Sequence, residues 1–567
     1  MGTESIKGIT LDMSQIDNLR LSHTIFENML NLRFIHFYFP KKFGECSNRR
    51  LLADQVDIVS LPDELVYLCW EYYPFKSLSS NFNPKNLVVL KLPHGDMEQL
   101  WNEDDHQDLV SLREIDLFDC KNLRKIPNLL GAVHLEILYC KECESLVEFP
   151  CLTYLASLRI FNHSGCHNLE KIPEIPSHFH FLDLEGTRIE EVSDSIEHLV
   201  GLTGLQLRNS RVKNVSNNIS KLESLYNLNL SHCPITKFPE IPRRLSVLNL
   251  SKTQIEQVSL SPDSVSNLEV LDINHCRSLK LLLDLPPHIR YLDAHDCTSL
   301  EKVSFTQQHG FRGESYERRM MFSNCFNLNQ DSVDRIEANA MVKIGSIAEN
   351  WTGQYFYRPI TLVCCFPETE ISANKFESQN VNSSLTLKIA PNVCGERRFL
   401  VFAIFLVADL THFTGFENLE FTCECQLTVS SCSDWCGGYE KFKSVLYDSG
   451  SFEPERKYMG DHVLILSSTD MVKEDKNYEE ASFQFYIRGY SCNEEGEKTC
   501  LHDFKVKKCG VHVFYEGAKS CADVNVEPSE NSNLNEMSND ESDDSFYSAE
   551  EAIFEEANSD TQKRLQL

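Results

Sequence analysis

Apolar residues recur along the first half of the chain in the frame L-x-x-L-x-L, most clearly at Leu112, Ile115 and Leu117. From Leu65 onward the frame returns every ~20 to 25 residues, a period typical of leucine-rich repeats, in which stacked units share one core. The pattern predicts about 13 repeats over residues 1–305, an α/β solenoid with a curved parallel sheet, or horseshoe. The units open at Ile6, Leu32, Leu65, Leu87, Leu112, Leu135, Leu158, Phe179, Leu202, Leu225, Leu245, Leu268 and Ile289.

The periodicity ends near residue 305. Residues 306–350 are polar at first and then contain a helical pattern over 331–344, so we expect a linker and a cap there. Residues 351–520 carry short apolar or alternating runs separated by polar turns, which predict an all-β sandwich. These runs are 360–366, 384–389, 399–407, 463–466, 481–487 and 510–515.

The negative net charge of the chain disfavours nucleic acid and anionic membranes as partners. The chain has 54 basic and 84 acidic residues, a net charge of −30, and such a field repels nucleic acid and anionic lipid. Residues 521–567 are especially acidic and are predicted to form a disordered tail. We favour a solvated tail that has no partner. The alternative is that the tail forms one amphipathic turn when it binds a partner, with the apolar residues Phe546, Tyr547, Ile553 and Phe554.

The sequence shows neither a signal peptide nor a membrane-spanning segment, which indicates where the protein is located in the cell. The N-terminus lacks the basic and apolar regions of a signal peptide, and the longest apolar run, 399–408, is too short to span a bilayer. We therefore expect an intracellular protein, in the cytoplasm or the nucleus, in which the 22 cysteines are reduced.

Six cysteines fall eight residues after the start of their repeat, which predicts one structural column: Cys120, Cys143, Cys166, Cys233, Cys276 and Cys297. Cys140 and Cys143 form a C-x-x-C pair, but no second pair follows at the spacing of a zinc site. In the C-terminal part, Cys423 to Cys436 is the stretch closest to a metal pattern, and structural thiols are favoured there too.

Common enzymatic signatures are absent from the sequence. It contains no phosphate-binding loop, no dinucleotide-binding G-x-G-x-x-G, no H-E-x-x-H and no G-x-S-x-G. His178 and His180 open a repeat strand without a closed set of ligands around them, so a metal site is disfavoured. We expect no catalytic, cofactor-binding or metal-binding residue.

The concave face of the horseshoe is the predicted binding surface. Side chains alternate along a strand, so the second, fourth and sixth residues after each opening residue project from that face. Aromatic side chains beside charges are typical of protein interfaces, although single exposed aromatics need no partner. The candidate contact residues are Phe34, His36, Tyr38, Phe118, Tyr139, Phe181, Glu185, Arg208 and Tyr291, with acidic neighbours Asp116, Asp183, Asp272 and Asp293.

Several segments resemble the C-terminal half of plant TIR-type nucleotide-binding leucine-rich-repeat disease-resistance proteins. They are ITLD from Ile9, FENMLNLRF from Phe26, LVYLCWEYYPFKSL from Leu65, NLVVL from Asn86, MEQLW from Met97, FSNCFNL from Phe322, CFPETEI from Cys365 and VKKCGVHVFY from Val506. The resemblance covers residues 1 to about 517 and implies that the C-terminal β domain is of the jelly-roll or immunoglobulin-like type.

The resemblance implies a recognition module of plant innate immunity. In this family the repeats and the jelly-roll domain bind a pathogen effector, the nucleotide-binding module oligomerises, and the TIR domain cleaves NAD. This chain begins at the repeats, so we expect it to lack both modules and to be no enzyme. The expected partners are a pathogen effector or a guarded host protein, and a full-length TIR-type receptor. A general scaffold or adaptor, or a truncated non-functional fragment, remains the alternative.

Overall fold

The computed structural model describes residues 5–15, 25–40, 59–101, 109–260, 267–306, 317–349, 359–370, 378–390, 400–413, 418–429, 438–449, 456–472, 476–493 and 497–515. The chain divides into two units, Met1–Ala518 and Lys519–Leu567, and every described residue belongs to the first. The predicted acidic tail at 521–567 lies outside the described residues, as do Cys432 and Cys436.

Short strands dominate the first part of the structure. They are β1 (Gly8–Asp12), β2 (Phe34–Tyr38), β3 (Tyr67–Trp70), β4 (Val89–Lys91), β5 (Glu114–Asp116), β6 (Ile137–Tyr139), β7 (Ile160–Asn162), β8 (Phe181–Asp183), β9 (Glu191–Val192), β10 (Gly204–Gln206), β11 (Asn214–Val215), β12 (Asn227–Asn229), β13 (Val247–Asn249), β14 (Gln257–Ser259), β15 (Val270–Asp272), β16 (Leu281–Leu285), β17 (Tyr291–Asp293), β18 (Lys302–Phe305) and β19 (Glu317–Met321).

One helix, α1 (Gln330–Glu349), separates these strands from the C-terminal ones. The later strands are β20 (Thr361–Pro367), β21 (Ser378–Asn380), β22 (Ser384–Lys388), β23 (Leu400–Asp409), β24 (Asn418–Val429), β25 (Gly438–Asp448), β26 (Asp461–Ser468), β27 (Tyr478–Cys492), β28 (Lys498–Phe504) and β29 (Val506–Tyr515). Short 3-10 helices occupy Met13–Gln15, Asp194–His198, Asn217–Lys221 and Thr469–Met471.

The concave face of the solenoid is a parallel ladder that takes one strand from each repeat, while β9 with β11, and β14 with β16 and β18, form two smaller parallel sheets. Strands β1 to β7 pair in chain order, and β8, β10, β12, β13, β15, β17 and β19 pair in a second parallel run. Each strand that belongs to a predicted unit begins two residues after the residue that opens the unit. The two runs meet between β7 and β8, where a ring nitrogen of His178 lies 2.5 Å from Leu158 O.

Burial alternates along several of the repeat strands, such as β2, β4, β5 and β6, as the frame predicts. On β5, Glu114 and Asp116 are half-buried on the concave side, whereas Ile115 between them is fully buried. Leu112 and Leu117 complete the buried set of this repeat. Because neighbouring repeats place leucines at the same offsets, their side chains merge into one core that runs through the solenoid.

The predicted cysteine column is buried in this core. Each of its thiols donates to the backbone oxygen of a preceding repeat; Cys143 Sγ, for example, lies 3.1 Å from Leu117 O. Cys325 makes the same contact with Ala294 O at 3.1 Å and extends the column by one turn. Burial raises the pKa of the Cys325 thiol, so this thiol stays a protonated donor. The thiols therefore close the turns at the ends of the strands.

The segment expected to be a linker and cap contains more structure than the sequence indicates. Strand β19 pairs with β17 as one more parallel strand, and β20 pairs with β19 in the same direction. Helix α1 contains the predicted helical stretch 331–344 and extends beyond both of its ends. The repeat ladder therefore continues, through β19 and β20, into the C-terminal sheet.

The C-terminal part is a two-sheet β-sandwich. One sheet has the strand order β21-β29-β23-β26-β20 and is continuous with the repeats, and the other has the order β22-β27-β24-β25, with β28 paired to β27. Strand β23 is buried on both faces because alternate residues join two cores. Phe402 and Ile404 pack in the sandwich, while Val401 and Phe405 belong to the core shared with α1 and the repeats.

Candidate protein-binding surface

Three of the predicted contact residues gather at the N-terminal end of the concave face. Phe34 stacks on Tyr67 with ring centroids 4.6 Å apart, and His36 stacks on Tyr38 at 4.8 Å. His36 also meets Phe34 and Tyr67 edge-on, at 6.1 Å each. Strands β2 and β3 thereby hold a four-ring cluster of Phe34, His36, Tyr38 and Tyr67, whose side chains are half-buried.

A second set of rings crosses five repeats, and we call Phe39, Tyr72, His94, Phe118 and Tyr139 the ring row. The successive ring centroids lie 5.1, 4.8, 5.0 and 6.3 Å apart. Tyr72 and His94 have positive φ angles, 57° and 58°, because each occupies the left-handed turn that ends its strand. The ring row therefore depends on the turn geometry as well as on strand alternation.

The middle of the concave face carries the predicted charged residues. Glu185 and Arg208, which follow β8 and β10, pair with each other at 3.5 Å, and both are more than half exposed. Phe181 is 43% exposed and lies over Gly204, where an added Cβ would approach its ring to 2.6 Å. The structure brings Glu185 and Arg208 together but separates this group from the two ring sets.

The ninth predicted residue, Tyr291, lies at the far end of the concave face. Its hydroxyl is 3.4 Å from Asp293 Oδ2, and Asp293 forms a buried ion pair with Arg456 of the sandwich. The side chains of Asp293 and Arg456 are 2% and 9% exposed. Here the β-sandwich covers the concave face, so the open part of that face lies toward the N-terminal and central repeats.

Asn324 holds the covering segment in place. Its side chain donates to Lys457 O at 2.7 Å and accepts from Met459 N at 2.9 Å. Its backbone N–H donates to His462 Nε2 at 3.1 Å, and His462 stacks edge-on against Tyr458. These contacts attach residues 456–462 to the last turn of the solenoid.

The acidic neighbours predicted on the concave face also have a local structural role. Asp116 accepts the backbone N–H of Phe118 at 3.0 Å, and Asp183 accepts that of Glu185 at 3.1 Å. Asp272 and Asp293 make the same contact two residues on. Asparagine replaces aspartate in this column at Asn162, Asn229 and Asn249, with the same hydrogen bond. Each carboxylate thus closes a turn and still contributes charge to the face.

Burial changes the proton affinity of several groups on this face. Burial and the neighbouring Asp293 charge raise the pKa of Asp272 to about 7. Burial, followed by the charge of Arg456, lowers the pKa of His295 to about 3. Burial also raises the pKa of Tyr139, and the nearby Asp116 and Glu142 carboxylates act in the same direction. At the C-terminal end of the face, Asp272 and His295 are therefore ionisable groups held away from water.

No group of three His, Cys, Asp or Glu side chains placed to hold a metal ion occurs among the described residues. Within the same part of the chain, no helix is both long and apolar enough to cross a membrane.

Sequence reasoning missed several members of the surface. Tyr67 stands at the same offset after its opening leucine as Phe34, so the alternation rule could have found it. Tyr72 and His94 are at the seventh position, which the rule assigns to the turn, and their ring contacts become visible only in the structure. Arg456 lies about 160 residues from its partner Asp293, a separation that no local pattern signals.

The chain is similar in sequence to plant disease-resistance proteins. Disease resistance-like protein DSC1 of Arabidopsis thaliana is 29% identical and matches 91% of this chain and 51% of its own length. Disease resistance protein RPS4B is 27% identical over 92% of this chain and 46% of its own length, and RPS6 is 30% identical over 58% and 36%. The chain thus spans about half the length, or less, of these relatives.

Solved structures give weaker similarity. A leucine-rich-repeat protein of Leptospira interrogans, LIC12759, is 15% identical and covers 59% of this chain and 94% of its own, with a TM-score of 0.28. The effector YopM of Yersinia pestis is 21% identical over 53% and 80%, with a TM-score of 0.30. A scan against known protein-family profiles finds no match. On the sequence relatives, the chain is a homologue of the plant TIR-type nucleotide-binding leucine-rich-repeat disease-resistance proteins.

Proposed function

We propose that this chain recognises a pathogen effector protein, or a host protein that such an effector modifies, through the open part of its concave face. The observations that carry the proposal are the grouping of half-buried rings on and just after strands β2 to β6 and, farther along the same face, the exposed charged pair Glu185–Arg208. Aromatic and charged side chains that share one rigid surface are typical of protein interfaces. The disease-resistance relatives supply the biological setting.

The dimensions of the surface favour a protein over a small molecule. Strands about 4.8 Å apart give a ladder of 13 units a length of roughly 60 Å. A ligand pocket is instead concave on the scale of one drug-sized molecule. The sandwich segment 456–462 covers the C-terminal end of the face, so the partner contacts the repeats on one side and the edge of the sandwich on the other.

The proposed role is recognition without catalysis, in the cytoplasm or the nucleus. A full-length TIR-type receptor is the proposed signalling partner. The alternative function, a general scaffold or adaptor, uses the same surface but captures host proteins whether or not a pathogen protein is present.

Co-expression in leaf tissue tests the proposal. The chain is expressed with a panel of pathogen effectors, with and without a full-length relative, and association is scored by pull-down and by cell death. The proposal predicts capture of a particular effector and cell death that requires the relative. Capture of host proteins with no dependence on any effector supports the scaffold instead.

A charge swap supplies the matched control for that experiment. Glu185→Arg places two cations side by side and is expected to lower effector capture at least tenfold. The swapped pair, Glu185→Arg with Arg208→Glu, restores the ion pair with its polarity reversed. Both residues are more than half exposed, so neither variant should change folding stability by more than about 0.5 kcal/mol. Equal capture by all three proteins contradicts the assignment of the concave face.

A further inference from the structure

Two carboxylates lie beside the ring row. Asp116 lies on β5 directly beside Tyr139 on β6, and it accepts the N–H of Phe118. Asp119 lies 2.8 Å from a ring nitrogen of His94, the next ring of the row. The rings and the carboxylates thus share one small surface.

A cation on the neighbouring strand offsets part of this charge. Lys91 lies beside Asp116 in register and pairs with Glu114 at 2.6 Å. One lysine thus faces two carboxylates, so the group of Glu114, Lys91 and Asp116 keeps one net negative charge beside Phe118 and Tyr139. The faces of aromatic rings are themselves negative, and a cation placed over them is stabilised most when a carboxylate is also within reach.

We propose that the ring row binds an arginine or lysine side chain of the protein partner, held by the rings of Phe118 and Tyr139 and the carboxylate of Asp116. This inference rests on the proposed function, because it names the chemistry of the partner that the same concave face takes. Arginine fits best, since its planar guanidinium stacks on a ring and donates to a carboxylate at the same time.

The neighbouring rings limit what else can occupy the surface. Tyr72 stacks on His94 at 4.8 Å, which extends the aromatic surface beside the proposed cation. An acidic partner segment would meet the Asp116 carboxylate with like charge, and nucleic acid would meet the same repulsion. The segment that fits is therefore a cationic and apolar stretch of polypeptide.

A conservative variant removes the charge without disturbing the turn. Asp116→Asn keeps an oxygen that accepts the Phe118 N–H, as Asn162, Asn229 and Asn249 do in other repeats. Asp63→Asn is the matched control, because Asp63 also accepts a backbone N–H, that of Asn83 at 2.9 Å, but precedes its repeat strand instead of lying on the concave face. Tyr139→Leu removes a ring face and keeps an apolar side chain.

The test selects binders from a library of random 12-residue peptides displayed on phage, with the purified full chain as bait. Peptides enriched in arginine or lysine are expected, and a synthetic copy of the best one should bind Asp116→Asn and Tyr139→Leu at least tenfold more weakly than the parent. Asp63→Asn should change binding less than twofold. Replacing the key arginine of the peptide by neutral citrulline should cost at least tenfold on the parent protein.

Two outcomes overturn the inference. One is the absence of enrichment, or enrichment of peptides without cations. The other is binding that neither Asp116→Asn nor Tyr139→Leu weakens. Peptides without cations that nevertheless lose binding on Tyr139→Leu would contradict the cation site while leaving concave-face recognition in place, so this inference and the proposed function fail separately.

Discussion

Arg456, from the β-sandwich, forms a buried ion pair with Asp293, the last residue of the final predicted repeat strand. The pair joins two parts of the chain that are about 160 residues apart in sequence. Because both side chains are almost wholly buried, the contact ties the sandwich to the solenoid and limits the open length of the concave face.

Breaking this pair on one side should be costly. Arg456→Met leaves the Asp293 carboxylate buried without its cation, and we expect a loss of about 3–5 kcal/mol in the free energy of unfolding, measured with urea. Adding Asp293→Asn should recover most of that loss, because asparagine keeps the turn hydrogen bond to His295 N–H. Lys213→Met, which breaks an exposed pair with Glu190, is the control and should cost less than about 1 kcal/mol. Equal losses for Arg456→Met and Lys213→Met would contradict the role of the buried pair.

The carboxyl of Asp272 predicts an unusual dependence of stability on pH. Its pKa is raised from the usual 3.8 to about 7 by burial and by Asp293, while Arg456 and Asn274 act in the opposite direction. The folded state therefore holds more protons than the unfolded state between about pH 4 and 7. The stability that the protonated Asp272 contributes is fully present below pH 4 and is lost as pH rises through 7. Asp272→Asn should reduce this decline in folding stability between pH 4 and 7, and it should raise the melting temperature at pH 7.5. Identical pH profiles of stability for the parent and Asp272→Asn would contradict this explanation.

Lys343 on α1 predicts that folding stability rises with pH, the opposite of the effect of Asp272. Its Nζ donates to Ile289 O at 3.3 Å in the buried interior, and burial, followed by the charge of Arg318, lowers its pKa from 10.5 to about 7. The unfolded state binds the proton more tightly, so stability rises from pH 7 toward 10.5. Lys343→Met should be more stable than the parent at pH 7, by more than about 1.4 kcal/mol, and the difference should shrink toward pH 10. Denaturant titrations at pH 7, 8.5 and 10 measure it, and a difference that stays constant with pH would refute the explanation.

Thiol reactivity tests the column of cysteines. Burial should protect the thiols of the column in the native protein, and raised pKa values add to this protection at Cys120, Cys143 and Cys325. Among the described cysteines, Cys151, Cys492 and Cys500 are exposed and should react first with iodoacetamide, as identified by peptide mass spectrometry. Early labelling of the column without unfolding would show that the repeats open more readily than this packing allows.

The repeat frame predicts most of the solenoid because its signal is redundant. A strand needs buried residues at fixed offsets, and Leu112, Ile115 and Leu117 show how each repeat supplies them. The next strand, β19, escapes the same search because Glu317, which is exposed, stands where the other units have an apolar opening residue. Met320 and Phe322 keep the later buried positions, so the core continues although the motif is incomplete.

The surface is less predictable than the core. Alternation places Phe34 and Tyr139 on the concave face, but it cannot say which rings touch. That depends on the left-handed turns at Tyr72 and His94 and on the covering segment around Arg456, both of which are set by tertiary contacts. The aromatic and charged candidates therefore emerge from the sequence as a set, and the structure divides that set into separate groups.

The central claim is that a protein partner binds the ring row on the concave face. The most direct measurement is the affinity of an effector captured in the leaf assay for the parent chain and for the double variant Phe118→Ala, Tyr139→Ala, by calorimetry, with Tyr226→Ala as an exposed aromatic control. Two aromatic hot-spot residues should together cost at least about 4 kcal/mol, or roughly a thousandfold in Kd, while the control changes little. Unchanged affinity in a double variant that melts like the parent would contradict the account.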